Sequence, residues 1–154
     1  MEEISMKKSL AAAVGMLVLG AGVIAVAQTK PEDSIKYRRS AMYLVGANFG
    51  PLAAMAQGKR PYDKDAAIKY ANIVAFVSKL PLEGFVPGTD TGDTKAKPDI
   101  WQDMDDFKAK MDKMNQETAK LAQVAQGGDF EAVKAQVGET GKACKACHDK
   151  YRNK

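Results

Sequence analysis

The stretch IWQDMDDFKAKMDKMNQETAKLAQVAQGG, residues 100–128, has the clearest apolar periodicity in the chain. Its apolar side chains return every three or four residues, a spacing that places them on one face of an α-helix. These side chains are Ile100, Met104, Phe107, Met111, Met114, Leu121 and Ala125. The pair Gly127-Gly128 predicts the end of the helix, because glycine favours the position that follows a helical C-terminus.

Three further segments carry a similar stripe. Helices are predicted over about residues 32–57 and 64–80, and a last helix follows Asp129 and carries both cysteines of the chain. No segment shows the alternation that is typical of a strand. The connections are short except for residues 81–99, which are rich in Gly, Pro and Thr. The sequence therefore predicts an all-α antiparallel four-helix bundle with one long crossover loop.

The N-terminal segment has the pattern of an export signal. Two lysines precede the uncharged run of residues 9–26, which closes on the small-x-small sequence Ala-Val-Ala at Ala27. A membrane anchor is the alternative, but the run is near the lower limit of the roughly 20 residues that span a bilayer. Glu2 and Glu3 are unusual ahead of such a run, and Met6 is an alternative start.

We therefore expect a signal peptide over residues 1–27, a single exported domain over residues 28–154 and a periplasmic location without membrane contact. The whole chain has a net charge of +4, and loss of the signal peptide does not change it. Basic and acidic residues are interspersed, and no long basic block occurs. This distribution argues against a nucleic-acid-binding protein.

The tract CKACH, residues 144–148, contains the only two cysteines and the only histidine of the chain. A disulfide across so short a loop would stabilise little, a thioredoxin-like centre needs a strand nearby, and a structural zinc site takes four ligands. In an exported chain, C-x-x-C-H is the signal for attachment of c-type haem. Thiols three residues apart lie on one helix face and can bond to both haem vinyl groups. The tract therefore predicts one haem c per chain, bound through Cys144 and Cys147, with His148 as the axial iron ligand.

Over residues 30–152 the chain resembles cytochrome c′, the family of class II c-type cytochromes. The resemblance rests on the position of C-x-x-C-H in the last helix, on Tyr151-Arg152 shortly after it, and on four other stretches. These are KPEDSIKYRRSAM at residues 30–42, PYDKDA at 61–66, LPLEGFVPGTDTGD at 80–93 and PDIWQD at 98–103. The resemblance implies a four-helix haem protein that pairs as a homodimer through its first two helices.

The resemblance also implies roles for side chains around the haem. Arg38 and Arg39 would lie against a propionate, Asp93 would lie at the haem edge, and Arg152 would lie beside the proximal face. From the sequence alone, Arg38 is either a snorkelling side chain or the partner of a buried anion. Arg152 is four residues past His148 and is otherwise a charge that complements the helix dipole. The loop has extra residues after Asp93 compared with the commoner pattern of the family.

The role of Met42 decides between two possible functions of the protein. The resemblance places it on the distal side of the haem, where it is either a lid that does not bind iron or the sixth ligand. A lid leaves five-coordinate iron that binds NO and CO, whereas a ligand makes a low-spin electron carrier with an unidentified redox partner. The chain has no distal histidine and no acid–base or nucleophile constellation, which argues against an enzyme. We expect the gas-binding protein and keep the electron carrier as the alternative.

Overall fold

The computed structural model describes residues 30–154, most of which lie in five α-helices. They are α1 (Pro31–Ala56), α2 (Lys64–Val77), α3 (Asp99–Gln102), α4 (Met104–Gly127) and α5 (Phe130–Tyr151). The expected signal peptide lies outside the described residues. Between residues 30 and 154 no helix is both long enough and apolar enough to cross a membrane.

The four long helices form the predicted bundle. Helix α1 packs against α2, α2 against α4, α4 against α5, and α5 returns to α1, which closes the ring. The link between α4 and α5 is two residues long, whereas α2 and α4 are separated by the long crossover that contains α3. Short links favour antiparallel neighbours, so the connection lengths alone explain most of this topology.

The helix ends follow the capping residues of the sequence. The carboxylate of Asp63 accepts a hydrogen bond from the first turn of α2, and the carboxylate of Asp129 does the same for α5. Gly128 follows α4 with φ 76°, a left-handed conformation that favours glycine. The predicted starts of the second and fourth helices and the predicted end of the third are thereby confirmed.

The third helix starts where it was predicted, but its predicted continuity is wrong. A continuous helix was expected after Pro98-Asp99, but the backbone leaves helical geometry at Asp103, with φ −132° and ψ 57°. The break separates α3 from α4 and frees the Asp103 carboxylate to accept a hydrogen bond from the backbone N–H of Asp106. A local N-cap here competes with continuation of the helix, as aspartate side chains commonly do.

The core consists of three apolar clusters along the bundle. One lies at the end of the bundle where α4 meets α5, and a smaller one joins the middle of α1 to α2. The third, which we call the cysteine cluster, lies near the C-terminus of α5. Its buried members are Ile100, Phe107, Met111, Met114, Cys147 and Tyr151.

Candidate functional site

The two cysteines lie in the last turns of α5, on the side that faces the core. Cys147 is buried in the cysteine cluster, and Cys144 is half-buried against it. Burial raises the pKa of both thiols, that of Cys147 to about 11. Both thiols are therefore protonated and neutral near pH 7.

His148 lies on the solvent side of the same turn. It lines a cavity of about 250 Å³ together with Lys97, Asp149, Arg152, Asn153 and Lys154. Partial burial, followed by the positive charge of Arg152, lowers the pKa of His148. The imidazole is therefore held in its neutral form, which is the form that binds a metal ion.

Several apolar side chains remain partly exposed beside the cysteine cluster. Met42 of α1 is among them, together with Phe85, Trp101 and Met104. Large apolar side chains left partly uncovered around a pair of thiols form a suitable surface for a flat apolar group. The structure thus brings Met42 to the same cluster as the two cysteines.

Arg38 is the most unusual side chain of the site, because it is only 2% exposed. Its guanidinium donates to Gly84 O at 2.8 Å, to Thr89 Oγ1 and Thr89 O at 2.6 Å each, and to Thr94 Oγ1 at 2.9 Å. All four acceptors are neutral oxygens of the crossover segment. Burial lowers the pKa of Arg38. The alternative of a snorkelling side chain is therefore wrong.

No ion pair formed among residues 30–154 includes Arg38. The guanidinium carbon lies 4.5 Å from the ring centroid of Phe85 and 5.5 Å from that of Trp101. A buried cation is costly unless an anion compensates it. Neutral thiols, a neutral imidazole, uncovered apolar side chains and a buried cation together fit a haem with its anionic propionates.

Arg39 and Asp93 are paired with each other. Arg39 Nη1 donates to the backbone oxygen of Asp93 at 2.8 Å and also to its carboxylate. Both side chains are exposed, so this is a surface ion pair between α1 and the crossover segment.

Arg152 departs from its expected position. We expected it on the same helix face as His148, but it follows the last residue of α5 with φ −122° and ψ 131°. Its backbone N–H donates to His148 O at 3.0 Å, and its backbone forms an isolated antiparallel bridge with Ala96. Although it lies outside the helix, its side chain shares the cavity of His148.

Two groups of residues near the site were missed from the sequence. Thr89 and Thr94 hold Arg38, and their threonine side chains carry no pattern that distinguishes them from other polar loop residues. Asp106 of α4 accepts a hydrogen bond from Tyr151 Oη at 2.6 Å and from Lys150 Nζ at 2.9 Å. From the sequence, Asp106 is recognisable only as an acidic residue in the first turn of a helix. A negative charge at that position interacts favourably with the dipole of any helix.

Comparison with known proteins places this chain in a known family. The family model described as Cytochrome C′ matches residues 33–152. The cytochrome c′ of Rubrivivax gelatinosus is 51% identical over 126 residues, which cover 81% of this chain and 98% of that protein. The structure of cytochrome c prime from Shewanella frigidimarina has a TM-score of 0.79 at 43% identity and covers 81% of this chain and 98% of that chain.

A third relative was solved with a gas bound. It is the nitric oxide complex of a variant of cytochrome c prime from Alcaligenes xylosoxidans, with a TM-score of 0.76 at 39% identity. The similarity covers 82% of this chain and 98% of that chain.

Proposed function

The chain belongs to the cytochrome c′ family of haem proteins, which are not enzymes, and from this premise we propose that it binds NO and CO at an open position of the haem iron. The prosthetic group of the family is covalent haem c, and Cys144 and Cys147 are the only cysteines that can hold it. When bound, the haem supplies an iron centre for diatomic gases and for electron transfer.

Several residues around the thiols are proposed to contact the haem, each in a different way. His148, whose imidazole is neutral, supplies the axial ligand on one side of the porphyrin. Arg38 pairs with a propionate, because its buried charge has no other anion among the described residues. Arg39 and Asp93 close the crossover segment onto α1 at the exposed haem edge, and Arg152 lies beside His148 on the proximal side.

The observation that carries the gas-binding proposal is the likeness of the chain to a solved nitric oxide complex. The side chains beside the cysteine cluster agree with it. Met42 is apolar and half-buried, and Phe85 and Trp101, which pack against the same cluster, are aromatic. NO and CO are uncharged and need no hydrogen-bond donor from such a pocket, whereas bound dioxygen is stabilised by one.

The test of this proposal is the coordination of the iron in the exported holoprotein. We expect a high-spin ferric spectrum at neutral pH and rapid CO binding by the ferrous form. Met42→Ala should speed CO binding by removing a lid. Met104→Ala is the matched control, because Met104 is also half-buried beside the cysteine cluster but lies on α4.

A low-spin electron carrier is the second possibility, because Met42 packs against the cluster that contains Cys147. In that case the ferric protein shows a low-spin spectrum with a sulfur-to-iron absorption band that Met42→Ala abolishes. Such a protein binds CO only after the thioether leaves the iron. Its redox partner would have to be identified separately.

We also propose that the chain is exported to the periplasm and pairs as a homodimer. Export is supported by the sequence of residues 1–27, and it is tested by the N-terminus of the protein recovered from a periplasmic extract. The homodimer is supported by large apolar side chains that remain exposed on the first two long helices. Tyr43 on α1 is 74% exposed and Phe76 on α2 is 68% exposed.

A further inference from the structure

Tyr151 is a buried phenol one helical turn beyond a cysteine that holds the haem. It is 2% exposed and belongs to the cysteine cluster. Residues 147 and 151 are four positions apart in α5, so their side chains lie one above the other on the same face. The ring of Tyr151 is therefore close to the thioether that Cys147 forms with the haem.

The phenol of Tyr151 also has a proton acceptor, the carboxylate of Asp106. Tyr151 Oη donates to the Asp106 carboxylate at 2.6 Å, a short charge-assisted hydrogen bond. Lys150 Nζ lies 2.9 Å from the same carboxylate oxygen. Burial, followed by the hydrogen bond to Asp106, raises the pKa of Tyr151, so the phenol keeps its proton at neutral pH. The hydrogen bond from Tyr151, followed by that from Lys150, lowers the pKa of Asp106 and keeps it ionised.

We propose that Tyr151 and Asp106 form a proton-coupled electron donor that protects the haem when the ferrous protein meets hydrogen peroxide. The inference rests on the covalent haem and on the open iron position proposed above. It concerns a reaction with an oxidant and does not depend on which gas the protein binds.

The electron count explains why such a donor is needed. Hydrogen peroxide needs two electrons and two protons to become two water molecules, with cleavage of its O–O bond. A bound ferrous haem would supply one of these electrons, since it can be oxidised to the ferric state. With that electron alone, the products are hydroxide and a hydroxyl radical, which attacks the porphyrin and the nearest side chains.

Tyr151 supplies the second electron. Loss of an electron makes the phenol a very strong acid, so its proton moves along the 2.6 Å hydrogen bond to the Asp106 carboxylate. The two protons consumed in forming water come from solvent. The products are ferric iron, a neutral tyrosyl radical, protonated Asp106 and two water molecules, and the hydroxyl radical is avoided.

Aromatic side chains pack against the ring of Tyr151, while its acceptor Asp106 remains 36% exposed. The ring of Phe107 meets that of Tyr151 edge-on at 5.3 Å between centroids, and Phe85 lies 4.7 Å from Phe107. Phenylalanine is much harder to oxidise than tyrosine, so the unpaired electron stays on Tyr151 until an external reductant returns the missing electron and Asp106 returns the proton.

The test uses the ferrous holoprotein, mixed with hydrogen peroxide and frozen rapidly for electron paramagnetic resonance. We expect a tyrosyl radical in the wild-type protein and its loss in Tyr151→Phe, which keeps the ring but removes the phenol. We also expect Tyr151→Phe to bleach more haem for each peroxide consumed. Tyr62→Phe is the matched control, because Tyr62 donates only to a backbone oxygen, that of Gly128 at the opposite end of α4.

Asp106→Asn provides a second variant, because asparagine can accept the hydrogen bond but not the proton. It should form the radical more slowly while the optical spectrum of the haem stays unchanged. Should Tyr151→Phe fail to fold, peptide mapping of spin-trap adducts in the wild-type protein locates the radical. A radical that persists in Tyr151→Phe, or adducts on tyrosines other than Tyr151, overturns the proposal. CO binding by the same samples separates this failure from a closed iron site.

Discussion

Replacement of Arg38 by methionine tests how the crossover segment is held over the site. Methionine keeps much of the length and apolar contact of the arginine side chain but has no donor and no charge. Four hydrogen bonds from the guanidinium to Gly84, Thr89 and Thr94 would be lost together. We expect the holoprotein to be destabilised and the crossover segment to become more mobile.

The magnitude follows from the kinds of acceptor. The two threonine hydroxyls can rotate toward other partners, but the backbone oxygens of Gly84 and Thr89 cannot, and each stranded carbonyl costs about 1–3 kcal/mol. Loss of the guanidinium beside Phe85 removes a further contribution of about 0.5–2 kcal/mol. The variant avoids the desolvation cost of the proposed Arg38–propionate pair, which offsets part of this loss. We expect a net decrease in the free energy of unfolding of about 2–4 kcal/mol.

The measurement is urea unfolding of the holoprotein, followed by far-ultraviolet circular dichroism. A lower midpoint with an unchanged slope reports a loss of stability without a change in the surface exposed on unfolding. Arg39→Met is the control, because Arg39 forms an exposed ion pair with Asp93, worth about 0–1 kcal/mol. Equal stability losses in the two variants, or a loss below about 0.5 kcal/mol for Arg38→Met, would refute the conclusion that Arg38 holds the crossover segment against α1.

Three further changes test other parts of the structure. Gly84→Ala should lower Tm in a thermal scan, because the new Cβ would lie 2.7 Å from both Arg38 Cβ and Ser34 O; an unchanged Tm contradicts this packing. Asp106→Asn should flatten the loss of stability in acid. Its folded pKa is lowered, so its stabilisation is present above the unfolded pKa of about 3.9 and is lost as pH falls through the folded value; equal acid profiles of Tm contradict this. Phe76→Glu should shift sedimentation toward the monomer, whereas an unshifted dimer would place the interface elsewhere.

Much of the architecture could be predicted because the bundle depends on local patterns. Asp63, Asp129 and Gly128 set helix ends through contacts with their immediate neighbours in sequence. The apolar stripe of α4 supplies Phe107, Met111 and other buried residues to the core. These features need only the 3.6-residue period and short links to produce antiparallel neighbours.

The break at Asp103 is harder to predict, because its local N-cap bond to Asp106 competes with an otherwise helical pattern and is supported by a contact from far away in sequence. Lys150 Nζ lies 3.0 Å from the Asp103 carboxylate, across 47 residues of chain. The hydrogen bonds of Arg38 also join distant parts of the chain, since Thr89 lies 51 positions beyond Arg38. The C-x-x-C-H tract predicts where the haem is attached, but these long-range contacts decide how the surrounding segments are held.

The charges at the site favour a coupling between haem attachment and folding. The two thiols and the imidazole are neutral, so the donors add no charge to the cluster. The buried charge comes instead from Arg38, which neutral oxygens solvate only in part. In the haem-bound form proposed above, the propionates compensate this cation and the porphyrin covers Met42, Phe85 and Trp101, which lie partly buried beside the cysteine cluster. On this proposal, burial of the Arg38 charge costs less free energy in the haem-bound protein than in the apoprotein.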